Sequence, residues 1–143
     1  MKRRASRLLF VLAMSACGLA SAQDVGRSVA VACPKAHEVT HAHLLGMWRA
    51  EFDGLAQGAT LLLEKHPELG ESVRGRINRN GERAEVAGDV DEGEFTLEES
   101  ENGVNISATW MGDVVEGSCG REIRGTWQAE RDRRSHSFVL RKM

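Results

Sequence analysis

After residue 46 the chain alternates between apolar and polar residues at every second position. A period of two is typical of β-strands that bury one face. In the first such segment, Trp48, Ala50 and Phe52 alternate with Arg49 and Glu51, and seven similar segments follow. The larger apolar residues predicted to face inward include Trp48, Phe52, Leu61, Leu63, Phe95, Leu97, Ile106, Trp110, Ile123, Trp127, Phe138 and Leu140.

Short turn signals separate these segments. Asn80-Gly81 and Asn102-Gly103 are typical of two-residue hairpins, because a type I′ turn needs positive φ at both positions. Asp91-Glu92-Gly93 and Met111-Gly112-Asp113 predict two further turns. Each connection is too short for a crossover helix, so consecutive strands must run antiparallel. The sequence therefore predicts an all-β fold, an eight-stranded antiparallel up-and-down barrel, with a β-sandwich as the alternative.

The first 22 residues have a different composition. Residues 1–22 combine a basic start, an apolar run and small residues at the end, which is typical of a secretory signal peptide. Cleavage after Ala22 and processing at a lipobox that ends in Cys17 are both open, and the second would lipidate Cys17. Either route predicts a periplasmic protein or one anchored to the outer membrane on its periplasmic side. No later segment has the roughly 20 apolar residues of a transmembrane helix.

Charge and cysteines narrow the prediction for the exported chain. Removal of residues 1–22 takes away four of 19 basic and none of 21 acidic residues, which leaves a net charge of −6. An acidic chain of this kind argues against nucleic acid as a partner. Cys33 and Cys119 remain, and an oxidising compartment predicts a disulfide between them, with two free buried thiols as the alternative.

The segment between the signal peptide and the first strand predicts a cap. We interpret residues 23–33 as an N-terminal arm and residues 34–143 as a single barrel domain. Pro34 and Gly46 bound a predicted cap helix over residues 35–45, because proline favours the first turn of a helix and glycine its end.

The cap contains a motif with possible chemistry. His37-Glu38-Val39-Thr40-His41 matches H-E-x-x-H, in which two histidines one helical turn apart bind zinc and the glutamate acts as base. His43 lies close by. No Gly-x-x-His follows at metzincin spacing, and Glu64, at a roughly gluzincin-like distance, lies on a predicted strand with no second long helix to hold it. A short polar cap helix is therefore the favoured explanation of the motif. A zinc-dependent hydrolase, or a metal-binding protein using these histidines, is kept as an alternative hypothesis.

Gly46-Met47-Trp48, directly after the predicted cap helix, resembles the Gly-x-Trp of lipocalins and other calycins such as avidin-like barrels. The resemblance implies a helical turn that closes one barrel end, Trp48 packed at its base, and an arginine of the last strand against the indole. Arg141 is the candidate. Alternation places Arg141 on the face opposite to Phe138 and Leu140, so it would reach Trp48 only around the barrel end.

The remaining residues favour binding over catalysis. Eight-stranded barrels are filled by side chains or hold one small ligand, and the many large inward residues favour a filled interior with a shallow pocket near Trp110 and Trp127. The sequence thus predicts a non-enzymatic, cofactor-free binding module for a small apolar ligand or a basic protein; a structural envelope protein is a further alternative. The carboxylates interpreted as a solvated outer face for a basic partner are Asp89, Asp91, Glu92, Glu94, Glu98, Glu99 and Glu101.

Overall fold

The computed structural model describes residues 32–143. The predicted signal peptide over residues 1–22 and the predicted lipidation of Cys17 lie outside this range, as does nearly all of the predicted arm over residues 23–33. Among the described residues, no helix is both long enough and apolar enough to span a membrane.

Eight antiparallel strands follow one another around a closed barrel, and the last strand pairs with the first. The predicted up-and-down barrel is confirmed, and the alternative sandwich is wrong because β1 pairs with both β2 and β8. This architecture is consistent with the calycin-like resemblance. The strands are β1 (Gly46–Phe52), β2 (Ala59–Lys65), β3 (Val73–Arg79), β4 (Glu82–Asp91), β5 (Glu94–Ser100), β6 (Ala108–Val114), β7 (Glu122–Ala129) and β8 (Ser135–Lys142).

Two hairpins form where the sequence predicts them. Asn80 and Gly81 connect β3 to β4 with φ angles of 51° and 96°, as a type I′ turn requires. Glu92 and Gly93 connect β4 to β5 in the same way, with φ angles of 49° and 89°. Positive φ at a glutamate is uncommon, and the tight turn imposes it.

The predicted hairpin at Asn102-Gly103 is wrong. The Asn102 side-chain oxygen accepts hydrogen bonds from the backbone N–H groups of Val104 and Asn105 at 2.9 and 2.8 Å. This Asx-type arrangement organises a longer connection over residues 101–107. As a result β6 begins at Ala108, and Ile106, predicted to face inward, is 46% exposed.

The predicted turn at Met111-Gly112-Asp113 is also wrong, because these residues lie inside β6. Gly112 is the cross-strand partner of Gly125 in β7. A Cβ atom at either position would overlap backbone atoms of the neighbouring strand. The glycines therefore allow β6 and β7 to approach closely, which is a strand function and not a turn function.

The barrel interior is packed with the chain's own side chains. Apart from Ile106, the predicted inward residues lie in the core or, like Trp127, pack against it partly buried. The most completely buried apolar side chains are Leu44, Trp48, Leu61, Leu63, Val73, Ile77, Phe95, Leu97, Trp110, Ile123 and Leu140.

The N-terminal segment closes one barrel end, but not as the predicted continuous helix over residues 35–45. A 3₁₀ turn over Ala36–Glu38 and the short helix α1 (His41–Leu44) are separated by Val39 and Thr40 in extended conformation. Val39 is 3% exposed and belongs to the core. The helix is interrupted because the chain places this apolar side chain in the barrel end.

Trp48 holds the cap against the barrel. Its indole Nε1 donates a hydrogen bond to the Leu44 carbonyl at 2.7 Å. The Lys142 ammonium lies 5.7 Å from the indole centroid and donates to the His43 carbonyl at 2.5 Å. Partial burial, and to a smaller extent the charge of Arg121, lower the pKa of Lys142. The Lys142 ammonium thus contacts both Trp48 and the end of α1.

The expectation that Arg141 packs on Trp48 is wrong. Arg141 lies on the outer surface, where it forms ion pairs with Glu51 at 3.0 Å and Glu122 at 3.4 Å. Strand alternation gives the reason, because Lys142 shares the inward face of Phe138 and Leu140 and Arg141 does not.

The predicted disulfide between Cys33 and Cys119 is confirmed. Nearby, the Ala36 backbone N–H donates to Glu116 Oε2 at 2.9 Å. Both links join the N-terminal segment to the connection between β6 and β7. The disulfide therefore fixes the cap to the barrel end that it closes.

Removal of the disulfide should destabilise the fold. The bond joins residues 86 positions apart, and the chain-entropy model gives about 4 to 5 kcal/mol for a loop of that length, as an upper value. We expect the Cys33→Ser/Cys119→Ser double variant to unfold at clearly lower urea concentration than the wild type. An unchanged midpoint, or equal free-thiol counts in unfolded protein before and after reduction, would contradict this expectation.

Two neighbouring basic residues provide a matched test of the cap contact. Lys142→Met removes the cation over Trp48 and the bond to the His43 carbonyl, and should cost about 1 to 2 kcal/mol of unfolding free energy. Arg141→Met removes only exposed ion pairs, and should cost less than about 1 kcal/mol. Urea unfolding of both variants measures the difference, and the reverse order would show that the outer ion pairs of Arg141 stabilise the barrel more than the contact of Lys142 with Trp48 does.

Candidate functional site

The barrel end opposite the cap contains a buried charge. Glu99, near the end of β5, is 2% exposed and is the one buried charged residue among residues 32–143. It shares the inward face of β5 with Phe95 and Leu97. We call this end the mouth, and we define the mouth cluster as Phe52, Arg79, Glu99, Trp110 and Trp127.

Four donor groups surround the Glu99 carboxylate. The indole N–H groups of Trp110 and Trp127 donate to Oε1 at 2.6 and 2.8 Å. Arg79 donates from Nη1 to Oε2 at 2.9 Å and from Nη2 to Oε1, so the guanidinium and the carboxylate form a two-pronged ion pair. A buried carboxylate is tolerated when donors and a countercharge satisfy it in this way.

The strand register brings the two indoles together. Trp110 on β6 and Trp127 on β7 are direct cross-strand partners, and Glu99 on β5 is opposite the small residue Ala108 of β6. Phe52 packs on both indoles, with ring centroids 5.2 Å from Trp110 and 6.1 Å from Trp127. Rings and carboxylate therefore sit on rigid strands rather than on loops.

Arg79 lies between aromatic rings as well as against the carboxylate. Its Cζ is 5.6 Å from the Phe52 centroid and 5.2 Å from the Trp127 centroid, within the range of cation–π attraction. Its side chain is 28% exposed. The guanidinium thus forms the boundary between the buried carboxylate and solvent.

The pocket predicted near Trp110 and Trp127 has a counterpart at the mouth. Trp127 and Glu99 line a surface cavity of about 240 Å³, together with Arg79, Ser107 and Arg131. Trp110 is 0% exposed and does not line this cavity. The two tryptophans are brought together as predicted, but only Trp127 is within reach of a ligand; binding at either residue stays a prediction.

Sequence reasoning missed Arg79 and Glu99. The prediction that Glu99 lies on the solvated outer face is wrong, because Glu99 has the same strand parity as the inward-facing Leu97. Arg79 has the parity of Ile77 on β3. The signal in the sequence is that Glu99 and Arg79 each occupy an inward position of their strand. It is easily overlooked for Glu99, because this residue lies in a run of carboxylates.

The three histidines of the cap do not share a helix face. His37 lies in the 3₁₀ turn and His41 and His43 in α1, with extended residues between them. His43 Nδ1 accepts a hydrogen bond from the Thr40 backbone N–H at 3.0 Å. Within the part of the chain that is described, no three or more His, Cys, Asp or Glu side chains are grouped to hold a metal ion. The helical geometry on which the H-E-x-x-H hypothesis depends is therefore not formed.

Comparison with known proteins identifies no relative: no protein-family model matches the chain, and no curated protein is similar to it. The function has to be inferred from the geometry of the mouth cluster.

Glu99 and its neighbour Glu98 provide a matched test of the mouth cluster. Glu99→Gln leaves the Arg79 guanidinium without its countercharge, which should cost about 2 to 3 kcal/mol, less than a fully buried pair because Arg79 is partly exposed. Glu98→Gln, on the outer face of the same strand, should change stability by less than about 0.5 kcal/mol. Urea unfolding measures the unfolding free energy of the two variants. Equal values would show that the ion pair between Glu99 and Arg79 does not stabilise the fold.

Proposed function

We propose that the protein is a non-enzymatic, calycin-like binding module of the bacterial envelope, with its binding site at the mouth. The observation that carries this proposal is the partly exposed Trp127 beside Arg79, both held over the buried Glu99. The packed interior directs a ligand to the barrel end. The disulfide between Cys33 and Cys119 supports an oxidising compartment and agrees with the predicted export.

The chemistry of the mouth favours binding over catalysis. A general base must have a lone pair that a substrate proton can reach. Both carboxylate oxygens of Glu99 already accept hydrogen bonds from Arg79 and the indoles. Glu99 is also 2% exposed, so a substrate has no direct path to its remaining lone pair while Arg79 is in place.

The size of the cavity restricts the ligand. Pockets for drug-sized molecules have volumes of about 300 to 1,000 Å³, whereas the cavity at Trp127 has about 240 Å³. It fits a small molecule or one side chain of a partner. Ser107, Arg131 and Arg134 line its rim and provide polar contacts beside the aromatic face of Trp127. The expected small apolar ligand thus becomes a ligand with an apolar body and a polar group.

A basic protein bound to the outer surface is a second candidate. Asp91, Glu94 and Asp113 are aligned on β4, β5 and β6 as direct cross-strand partners. Like charges in such positions destabilise a sheet. Arg124 of β7 is opposite Asp113, and a basic partner would offset the repulsion that remains between Asp91 and Glu94. Met111, beside Asp113 on β6, is 65% exposed and would add an apolar contact.

Native mass spectrometry of protein purified from its own envelope tests the proposed site. We expect a low-mass adduct on the wild type, because a mouth ligand should survive gentle purification. Trp127→Leu keeps an apolar side chain but removes the aromatic face, and should lose the adduct. Arg133→Ala, in the adjacent loop and outside the cavity, should keep it.

An adduct retained equally by Trp127→Leu would place the ligand elsewhere and contradict the proposal. A wild type that carries no small adduct but forms crosslinks to a basic protein from Asp91, Glu94 or Asp113 would favour the second candidate. Near-UV circular dichroism verifies that each variant is folded.

A further inference from the structure

The mouth already contains a bound cation, and that cation belongs to the chain itself. The Arg79 guanidinium is held by the Glu99 carboxylate through two nitrogens and lies against the rings of Phe52 and Trp127. A carboxylate combined with aromatic faces is the arrangement by which proteins recognise organic cations. Arg79 thus occupies the cluster in the way that a ligand cation would.

Arg79 is placed where its side chain can leave without disturbing the barrel. It is the last residue of β3, directly before the Asn80-Gly81 turn, and its side chain is 28% exposed. Three surface cavities, of about 240, 360 and 440 Å³, have Arg79 as a shared wall. Rotation of this one side chain toward solvent would join them above the Glu99 carboxylate.

We propose that the mouth cluster is a receptor for a guanidinium or alkylammonium group, and that Arg79 fills it as an internal competitor until a ligand cation displaces it. This proposal rests on the proposed binding function and specifies the chemistry of the ligand. The charged group enters between Phe52 and Trp127, pairs with Glu99, and leaves its apolar or peptide portion in the joined cavity.

The buried charge gives the site its selectivity. Departure of Arg79 alone would leave Glu99 as an uncompensated buried anion, which is strongly unfavourable. The other charges that line this cavity balance, since Arg131 and Arg134 lie there with Glu101 and Asp132. The unpaired Glu99 then decides: an incoming cation restores the pair, whereas a neutral molecule does not and an anion adds repulsion. Because the exchange replaces one cation by another, Arg79 lowers the affinity of the wild type for the ligand, and removal of this internal competitor raises it.

Removal of Arg79 tests the proposal directly. Arg79→Ala is compared with the wild type and with Arg76→Ala, which removes an arginine from the exposed outer face of the same strand, outside the three cavities. The probes are ethylguanidinium, propionamide and propionate, which are similar in size and differ in charge. The readout is the NMR signal of each indole N–H, with Trp127 and Trp110 at the mouth and Trp48 at the cap as an internal control.

We expect ethylguanidinium to shift the Trp127 and Trp110 signals of Arg79→Ala in a saturable way, and to bind this variant at least about tenfold more tightly than the wild type or Arg76→Ala. The Trp48 signal should not move. A blocked Gly-Arg-Gly peptide separates two sources of the cation: tighter binding than ethylguanidinium indicates an arginine of a partner protein, and weaker binding indicates a small free compound.

Equal affinity in Arg79→Ala and the wild type, or no response to ethylguanidinium, overturns the proposal. A response to propionate or propionamide without one to ethylguanidinium also overturns the proposed cation exchange, but leaves the mouth as a binding site. If no probe shifts the indole signals and the envelope-purified protein carries no adduct, both the cation exchange and the proposed binding function are overturned. Should Arg79→Ala not fold in buffer, ethylguanidinium must restore its near-UV circular dichroism where an equal concentration of sodium chloride does not. Failure of that rescue counts against the exchange.

Discussion

The pairing of β1 with β8 closes the sheet, and closure determines where this molecule can act. A closed barrel has no strand edges to offer to a partner. Eight strands enclose a space that side chains are just able to fill, and the large apolar residues of every strand fill it. Recognition is consequently confined to the two barrel ends and to the outer surface.

The two ends are closed by different kinds of interaction. At the cap, a disulfide from Cys33 to Cys119 and the contact of Lys142 with Trp48 attach the N-terminal segment to the barrel. At the mouth, the closing element is a single ion pair between Arg79 and Glu99. A disulfide is not displaced by a non-covalent ligand, whereas a cation held by a carboxylate and two rings can be replaced by another cation. This difference is why we propose binding at the mouth and a structural role for the cap.

Strand number, order and the hairpin at Asn80-Gly81 could be predicted, because alternation and turn chemistry are local properties of the sequence. Features that depend on competition between local and distant contacts could not. The Asn102 side chain accepts hydrogen bonds from the backbone N–H groups of Val104 and Asn105, and a longer connection forms in place of the predicted two-residue hairpin. Val39 interrupted a plausible helix because the barrel end needed an apolar side chain.

The mouth cluster was within reach of the same alternation rule. Strand parity places both Glu99 and Arg79 on the inward face. A glutamate in a run of carboxylates is usually solvated, however, and this is why the sequence favours an outer position for Glu99. Trp110 and Trp127 were identified because aromatic residues dominate cores and sites alike. What the sequence could not show is that three donor side chains from three other strands meet the carboxylate of Glu99.

A double-mutant cycle with Arg79→Met and Glu99→Gln measures whether Arg79 and Glu99 act as one unit at the mouth. Contacting residues in a shared network show coupling, whereas independent residues add within about 0.5 kcal/mol. We predict that the double variant loses less unfolding free energy than the two single variants lose together, by about 1.5 kcal/mol or more. The reason is that each single change leaves a charge unpaired. Additive losses would show that Arg79 and Glu99 act independently and that packing alone holds the mouth.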